Sequence, residues 1–164
     1  MDGEDVLAIA QTGTGKTAAF VIPALDKVEQ KIRTKRRGSA PVCVVMVPTH
    51  ELAIQIDNVF RDLGKYCGAI SLAIFGGAGQ DSQIAKLKKG VDILIATPGR
   101  LFDLHAQKHL ILDEVELLIL DEADQMLKLG FYKDIQDLLK RIPNKRQTLF
   151  FSPSIITLTM VLYL

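Results

Sequence analysis

The chain alternates between short, continuously apolar runs and longer segments in which apolar residues recur at helical spacing. The continuous runs are too apolar for strands with one solvated face, and they are typical of parallel strands buried on both faces. The pattern therefore predicts six strands, at residues 6–10, 42–47, 70–75, 91–96, 117–120 and 148–151.

The segments between these runs have the spacing of amphipathic helices. They predict helices at residues 17–31, 51–66, 81–88, 100–108 and 131–141, with a kink or an early end at Pro23 in the first. Strands that alternate with helices predict an α/β fold of three layers, with a mostly parallel central sheet and right-handed crossovers. Because ligands bind such sheets at the carboxyl ends of the strands, polar motifs that follow strands should gather at one edge.

Composition adds little to this picture beyond the size of the core. The 164 residues are 48% hydrophobic and 24% charged, which is enough for one globular domain. A net charge of +1 gives no overall electrostatic signature of a nucleic-acid binder. The basic run at 31–37 is interpreted as a solvated loop; the alternative, an RNA-binding patch, lacks the interleaved aromatic residues.

The cysteines and the two ends of the chain bear on the cellular compartment. Cys43 and Cys67 have no spacing typical of a disulfide framework or a metal site, so we expect free thiols and a reducing compartment. The acidic residues 1–5 do not resemble a secretory signal. The apolar residues 155–164 are about half the length needed to span a bilayer. We therefore expect a cytoplasmic or nuclear protein without a membrane partner.

The first strand leads into a glycine-rich turn and a helix, at residues 10–17. Gly13 and Gly15 allow successive N–H groups to converge on a polyphosphate at the helix N-terminus. Lys16 supplies an ammonium for the terminal phosphates, and Thr17 supplies a hydroxyl for Mg²⁺. Ala10 stands where the standard pattern has Gly, but the strand before the turn and the helix after it disfavour an ordinary turn. The residues predicted to bind the nucleotide are Gln11, Thr12, Gly13, Thr14, Gly15, Lys16 and Thr17.

Two adjacent carboxylates, Asp121 and Glu122, directly follow the apolar run at 117–120. In phosphate-loop enzymes the first carboxylate after such a strand holds Mg²⁺, so Asp121 is the candidate metal ligand. Glu122 is the candidate base that orients and deprotonates the attacking water. The predicted reaction is hydrolysis of the γ-phosphate. The alternative interpretation makes the acids at 121–124 only a helix cap that interacts with the helix dipole.

These motifs resemble, in order, those of the amino-terminal RecA-like lobe of DEAD-box RNA helicases. Residues 10–17 resemble motif I, 48–53 motif Ia, Gly76-Gly77 the double glycine, 97–100 motif Ib and 121–124 motif II, the sequence Asp-Glu-Ala-Asp. The resemblance extends from residue 6 to residue 152. It implies a RecA-like phosphate-loop domain that binds ATP and Mg²⁺, with Lys16, Asp121 and Glu122 as catalytic residues.

The remaining motifs imply contact with the sugar-phosphate backbone of RNA. Each follows a predicted strand, where turn amides, hydroxyls and a guanidinium suit phosphate, and the two glycines leave room for another backbone. Each motif alone is also compatible with a turn that binds nothing. Together they predict binding that is indifferent to RNA sequence. The residues concerned are Pro48, Thr49, His50, Gly76, Gly77, Thr97, Gly99 and Arg100.

Two departures from the family pattern affect this RNA side. His50 stands where the family has Arg, so a permanent charge is replaced by an imidazole that is mostly neutral near pH 7. We expect weaker RNA binding that strengthens in mildly acid buffer. Motif III, Ser-Ala-Thr in the family, is Ser152-Pro153-Ser154 here, and proline lacks an N–H. The resemblance assigns Asp124, Ser152 and Ser154 to coupling between the ATP site and RNA.

The resemblance covers one lobe, so we expect residues 1–164 to be a single ATP-binding domain, with 155–164 as a divergent apolar tail. The family's upstream glutamine motif and its second lobe lie outside this sequence. Because an arginine supplied to the γ-phosphate is worth about 10³ to 10⁵ in rate, the lobe alone should be weakly active or inactive. Expected partners are RNA, a second RecA-like lobe normally in the same chain, and regulatory proteins. The alternatives are a non-catalytic nucleotide- or RNA-binding module and a phosphate-loop motor that acts on DNA.

Overall fold

The computed structural model describes residues 4–9, 15–33, 40–143 and 145–153. Over these residues the chain forms one sheet in the order β1-β6-β5-β2-β4-β3, and every pair of neighbouring strands is parallel. The strands are β1 Val6–Ile9, β2 Cys43–Met46, β3 Ser71–Ile74, β4 Ile93–Ala96, β5 Leu117–Leu120 and β6 Gln147–Ser152. The predicted α/β class and parallel sheet are confirmed.

The helices of the described residues are α1 Lys16–Ile32, α2 His50–Gly64, α3 Gln80–Lys88, α4 Pro98–Ala106, α5 Ala123–Lys128 and α6 Tyr132–Arg141. The prediction that the first helix ends early at Pro23 is wrong, because α1 continues to Ile32. The sequence pattern missed α5, since its six residues are too few to show helical periodicity.

The sheet is covered on both faces, which produces two hydrophobic cores. Alternate residues of β2 point to opposite faces: Cys43 and Val45 pack with α1 and α2, while Val44 and Met46 pack with α3 to α6. All four side chains are fully buried. Burial on both faces explains why this strand is continuously apolar.

The expectation that all six strands are buried is wrong for β1. Among the described residues β1 pairs only with β6, and Val6, Leu7 and Ile9 are 44%, 40% and 56% exposed. Its apolar run is as strong as that of a central strand, but strand order, which local sequence does not encode, places β1 at the edge of the sheet.

The described helices include none that is long and apolar enough to cross a bilayer. Cys43 and Cys67 are free thiols, as expected. Residues 10–14 of the phosphate loop, residues 34–37 of the basic run with the two that follow, and the tail from residue 154 onward lie outside the described residues.

Candidate functional site

The order of the strands divides the carboxyl edge of the sheet into two halves. In one half, the loops after β1 and β5 carry the predicted nucleotide motifs and the end of β6 carries the predicted coupling residue Ser152. In the other half, the loops after β2, β4 and β3 carry the predicted RNA motifs. Strands β5 and β2 are neighbours, so the halves meet between them, where the Asp121 N–H donates to the Met46 carbonyl at 3.1 Å. We call these halves the nucleotide half and the RNA half.

Lys16 and Asp121 are in direct contact in the nucleotide half. Lys16 begins α1 and Asp121 follows β5, and the Lys16 Nζ atom lies 2.6 Å from Asp121 Oδ1. Their side chains are 6% and 1% exposed. An ion pair so enclosed is much less screened by solvent than one on the surface.

One carboxylate oxygen of Asp121 has no hydrogen-bond partner in the part of the chain that the structure describes. Its Oδ1 also accepts from the Glu122 N–H at 2.9 Å, whereas Oδ2 is buried and unpaired among the described residues. An unpaired buried carboxylate oxygen is costly, and a cation would satisfy it. No group of three or more metal-ligating side chains occurs in the described part of the chain. One carboxylate, with the hydroxyl of Thr17, the residue after Lys16 in α1, fits Mg²⁺, which takes few protein ligands and completes its shell with phosphate and water.

Glu122 has left-handed backbone angles, φ 54° and ψ 46°, at the start of α5. A non-glycine residue there costs about 1–2 kcal/mol, and such strain is concentrated at functional sites. Its side chain makes no capping hydrogen bond, so the helix-cap interpretation does not account for this carboxylate. Burial raises its pKa, and the charge of Asp121 raises it further, while Lys16 lowers it. A carboxyl with a raised pKa, close to but not bonded to the buried lysine, suits a general base.

Asp124 connects the loop after β5 to the end of β6. Its Oδ1 accepts from the Ser152 hydroxyl at 3.3 Å, and its Oδ2 accepts from the Lys128 ammonium at 3.1 Å. Asp124 and Ser152 are both buried. The structure therefore brings together two of the three residues assigned to coupling; Ser154 lies outside the described residues.

Gly15 is the described end of the phosphate loop. It has a φ of +81° and precedes α1 without a side-chain cap. No N-cap side chain therefore competes with an anion for the first N–H groups of α1 in the described part of the chain, and the helix dipole favours an anion there. The predicted ligands Gln11, Thr12, Gly13 and Thr14 lie outside the described residues.

The loop after β2 places a capped helix start beside an exposed imidazole. Thr49 caps α2, since its Oγ1 accepts from the Leu52 N–H at 3.3 Å. The His50 side chain is 57% exposed, its Nε2 lies 2.7 Å from a Glu51 carboxylate oxygen, and its ring lies 5.8 Å from the Phe75 ring. Pro48 is buried. His50 therefore contacts the residue at the end of β3.

Arg100 holds the double-glycine turn. Both of its terminal nitrogens donate to the Ala78 carbonyl at 3.4 Å, which joins the loop after β4 to the loop after β3. A Cβ atom built on Gly76, Gly77 or Gly99 would meet nothing within 4 Å, so this surface is open. Thr97 directly precedes α4, and its hydroxyl makes no capping hydrogen bond. The sequence motifs did not indicate that Arg100 positions the turn.

Gln83 is a positioning residue that sequence reasoning missed. Its side-chain amide donates to the Phe75 carbonyl at 3.1 Å and accepts from the Phe75 N–H at 3.3 Å. Its amide thereby bonds the two backbone groups of Phe75 that a neighbouring strand would otherwise bond just after β3. A single glutamine within a helical segment carries no sequence signal for this role.

The family model for DEAD/DEAH box helicases matches residues 1–161. The chain is 44% identical over 155 residues to DEAD-box ATP-dependent RNA helicase 5 of Arabidopsis thaliana, covering 93% of this chain and 29% of that protein. It is also 44% identical over 152 residues to DEAD-box ATP-dependent RNA helicase CshA of Streptococcus pneumoniae serotype 4, covering 93% of this chain and 28% of that protein. The chain thus spans less than a third of these relatives.

A solved structure shares the fold. It is described as the crystal structure of a hypothetical ATP-dependent RNA helicase from Sulfolobus tokodaii. The TM-score is 0.85 at 34% identity, and the match covers 98% of this chain and 45% of that one. The predicted RecA-like fold class is confirmed.

Proposed function

We propose that this chain, which belongs to the DEAD/DEAH box helicase family, is the ATP-binding and ATP-hydrolysing lobe of an ATP-dependent RNA helicase. The observation that carries the proposal is the contact of Lys16 with Asp121, whose second carboxylate oxygen is buried and has no partner among the described residues. An ammonium, a carboxylate with one unpaired oxygen and a helix N-terminus then lie together at the site where a phosphate chain is expected.

Binding of ATP involves an exchange of partners at this site. Lys16 leaves Asp121 for the terminal phosphate oxygens, while the N-terminus of α1 and the loop residues 11–15 receive the remaining phosphates. Thr17 and the released Asp121 would hold Mg²⁺, which supplies positive charge to the phosphate oxygens in the transition state. The ion pair keeps the two groups in position before the exchange.

Glu122 acts on the attacking water in this proposal. Its raised pKa makes it a stronger base than an exposed carboxylate, and the neighbouring Lys16 limits that rise. The water loses its proton to Glu122 as its oxygen bonds to the γ-phosphorus and the bond to the bridging oxygen of ADP breaks. The products are ADP and inorganic phosphate.

RNA binding is proposed for the three adjacent loops of the RNA half. Backbone amides, hydroxyls and the open glycines contact sugar and phosphate, so the binding does not depend on sequence. The Asp121–Met46 hydrogen bond is the route by which the nucleotide half can affect the RNA half, and the contact of Asp124 with Ser152 joins α5 to the end of β6 within the nucleotide half. The proposed residues are Pro48, Thr49, His50, Gly76, Gly77, Thr97, Gly99 and Arg100.

The second candidate function is a module that binds nucleotide or RNA without turnover. It differs from the first candidate in the release of phosphate when a second lobe completes the ATP site. We expect the chain alone to hydrolyse ATP slowly or not at all.

Calorimetric titration with ATP, in the presence and absence of Mg²⁺, tests the site. The expected result is binding that requires Lys16 and strengthens with Mg²⁺. Lys16→Ala should abolish binding, whereas Lys140→Ala, at an exposed position of α6, should leave it unchanged. ATP affinity that is equal in the wild type and Lys16→Ala would contradict the proposal.

Phosphate release separates the two candidate functions. Supplied with RNA and the second lobe of a relative, the wild type should release phosphate, and Glu122→Gln should lose about 10²- to 10⁴-fold while still binding ATP. No release from the wild type would favour the binding module. Release that survives Glu122→Gln would remove Glu122 as the base. Parallel assays with duplex RNA and duplex DNA would distinguish a DNA motor.

A further inference from the structure

A groove of about 370 Å³ lies at the amino end of β3, at the opposite end of the sheet from the nucleotide and RNA halves. It is formed by the last turns of α2 and α3, the start of β3 and the turn that leads into β4. We call it the β3-edge groove. None of the motifs identified in the sequence contributes to it.

The sides of this groove are basic. Arg61 and Lys65 come from α2 and the turn after it, and Lys86 and Lys89 come from the end of α3. Arg61 is paired with Asp57 at 2.6 Å. In the described part of the chain, the ammonium groups of the three lysines have no carboxylate within 4.0 Å. Convergent like charges favour a negatively charged partner.

The floor of the groove is aliphatic. Ala69, Ile70, Leu72 and Val91 line it, and Ile70 is 42% exposed. No aromatic side chain lines the floor, and at one side the exposed Tyr66 ring has its centroid 5.1 Å from the Lys65 ammonium. Because a sugar-phosphate backbone would leave the apolar floor uncovered, the combination of apolar floor and basic sides favours a peptide with both apolar and acidic side chains.

The outer edge of β3 supplies backbone hydrogen-bonding groups at the groove and beside it, since Ser71, which is 9% exposed, lines the groove and Ala73 follows it along the strand. The carbonyls of Ile70 and Ile74 accept hydrogen bonds from backbone N–H groups on the β4 side. Because the backbone groups of successive residues alternate in direction, the N–H and C=O groups of Ser71 and Ala73 point to the other side, where the described residues include no partner strand. Gln83 occupies the same edge at Phe75. The part of the β3 edge without a partner among the described residues is therefore short, and it adjoins the groove.

We propose that the β3-edge groove binds an extended acidic segment of a partner protein. The segment pairs with the Ser71 and Ala73 backbone groups, as in strand addition. One of its apolar side chains covers the floor, and its carboxylates contact Lys65, Lys86 and Lys89. The proposal does not depend on the assignment of ATP or RNA sites, because the groove lies at the other end of the sheet.

The test uses the whole 164-residue chain and a fluorescein-labelled peptide, Asp-Glu-Ile-Asp-Val-Glu-Leu-Asp, in a fluorescence polarisation titration. A matched peptide has serine in place of its three apolar residues. The expected result is saturable binding of the first peptide and at least about ten-fold weaker binding of the second, because the apolar floor is then left uncovered. On binding, hydrogen exchange of the Ser71 and Ala73 amides should slow.

The charge reversal Lys86→Glu with Lys89→Glu should weaken binding of the first peptide about ten-fold or more. The control, Lys88→Glu with Lys133→Glu, has the same net charge change at exposed positions that do not line the groove, and should stay within about two-fold of the wild type. All four lysines are exposed, so both variants should fold, which a circular dichroism melt verifies.

Three results would overturn the proposal. Equal binding of the two peptides would show that the floor contributes nothing. Equal effects of the two charge reversals would show that net charge alone attracts the peptide. Displacement of the peptide by an octamer of uridylate, weakened by the Lys86 and Lys89 reversal and not by the control, would identify an RNA surface.

Discussion

Lys16 and Asp121 depend on each other for stability as well as for the proposed chemistry. Because their side chains are 6% and 1% exposed, removing the lysine leaves a buried carboxylate without its counterion. We expect Lys16→Ala to lower the free energy of unfolding by about 3 kcal/mol, as for other broken buried pairs. Urea denaturation of both single variants and of the double variant with Asp121→Ala measures the coupling.

The pair between Lys128 and Asp124 is the matched control, because the Lys128 side chain is 74% exposed. Lys128→Ala should cost less than about 1 kcal/mol. A double-variant cycle in which the Lys16 and Asp121 losses simply add would show that the buried pair contributes no coupling energy.

Glu122 makes stability depend on pH. Its pKa is raised in the folded protein, mainly by burial, so the folded state binds a proton more tightly than the unfolded chain. The free energy of unfolding therefore falls as pH rises from the unfolded pKa, about 4.3, through the raised value. Glu122→Gln removes this loss, so the variant should gain stability relative to the wild type between about pH 4 and pH 7. Urea denaturation at the two pH values checks the sign, with Asp137→Asn, at an exposed position of α6, as the control.

His50 is expected to make RNA binding weak. Its side chain is 57% exposed beside Glu51, and an imidazole makes a weaker phosphate contact than a guanidinium. His50→Arg should tighten binding of a labelled uridylate oligomer at pH 7.5 and steepen the salt dependence by about one counterion. Asn58→Arg adds the same charge on the exposed side of α2. Equal gains from both variants would assign the effect to net charge.

At the scale of elements, two adjacent glycines in the turn between β3 and α3 can be tested separately. We expect one to be required by its backbone conformation, and the other by the space that it leaves for a ligand. Gly77 has a φ of +80°, whereas Gly76 does not have a positive φ, and both face open space. Gly77→Ala should lower stability by about 1 kcal/mol, because left-handed angles strain an alanine. Gly76→Ala should leave stability almost unchanged yet weaken RNA binding, if another backbone approaches there. Thermal melts and polarisation titrations distinguish the two, and full RNA affinity in Gly76→Ala would refute close approach.

The local spacing of apolar residues was sufficient to predict the type and bounds of the long or central elements. The run at 117–120 matches β5 residue for residue, and the helix predicted at 131–141 differs from α6 by one residue. It failed for α5, which is only six residues long, and for the burial of β1. The position of a strand within the sheet depends on contacts between distant segments, which a local pattern does not contain.

The same limit applies to the candidate site. The strand-end rule placed Lys16 and Asp121 at one edge of the sheet, but their contact depends on the strand order. The left-handed angles of Glu122 and the Gln83 amide on Phe75 had no sequence signal, because Glu rarely adopts such angles and Gln occurs on many helices. The motifs therefore predicted which residues gather, and the fold determines how they are held.

At the scale of the whole molecule, the proposed functions and the proposed docking groove occupy opposite ends of one sheet. The nucleotide and RNA halves share the carboxyl edge, while the β3-edge groove lies at the amino end. A partner seated in the groove would leave the carboxyl edge accessible. The two proposals can therefore be tested separately on one chain.

The two cysteines differ in accessibility. Cys43 is fully buried in a central strand, and burial raises the pKa of its thiol, whereas Cys67 is only partly buried in the turn after α2. Iodoacetamide should therefore alkylate Cys67 in the native protein and reach Cys43 only when the sheet opens. Mass spectrometry of peptides after timed alkylation, with and without urea, checks this order. Equal rates for the two thiols in native buffer would contradict it.

This difference makes the natural sequence suitable for single-molecule work. A fluorophore attached at Cys67 would sit away from the carboxyl edge of the sheet, so no cysteine need be engineered or removed. The alkylation rate of Cys43 would meanwhile report how often the central strands separate.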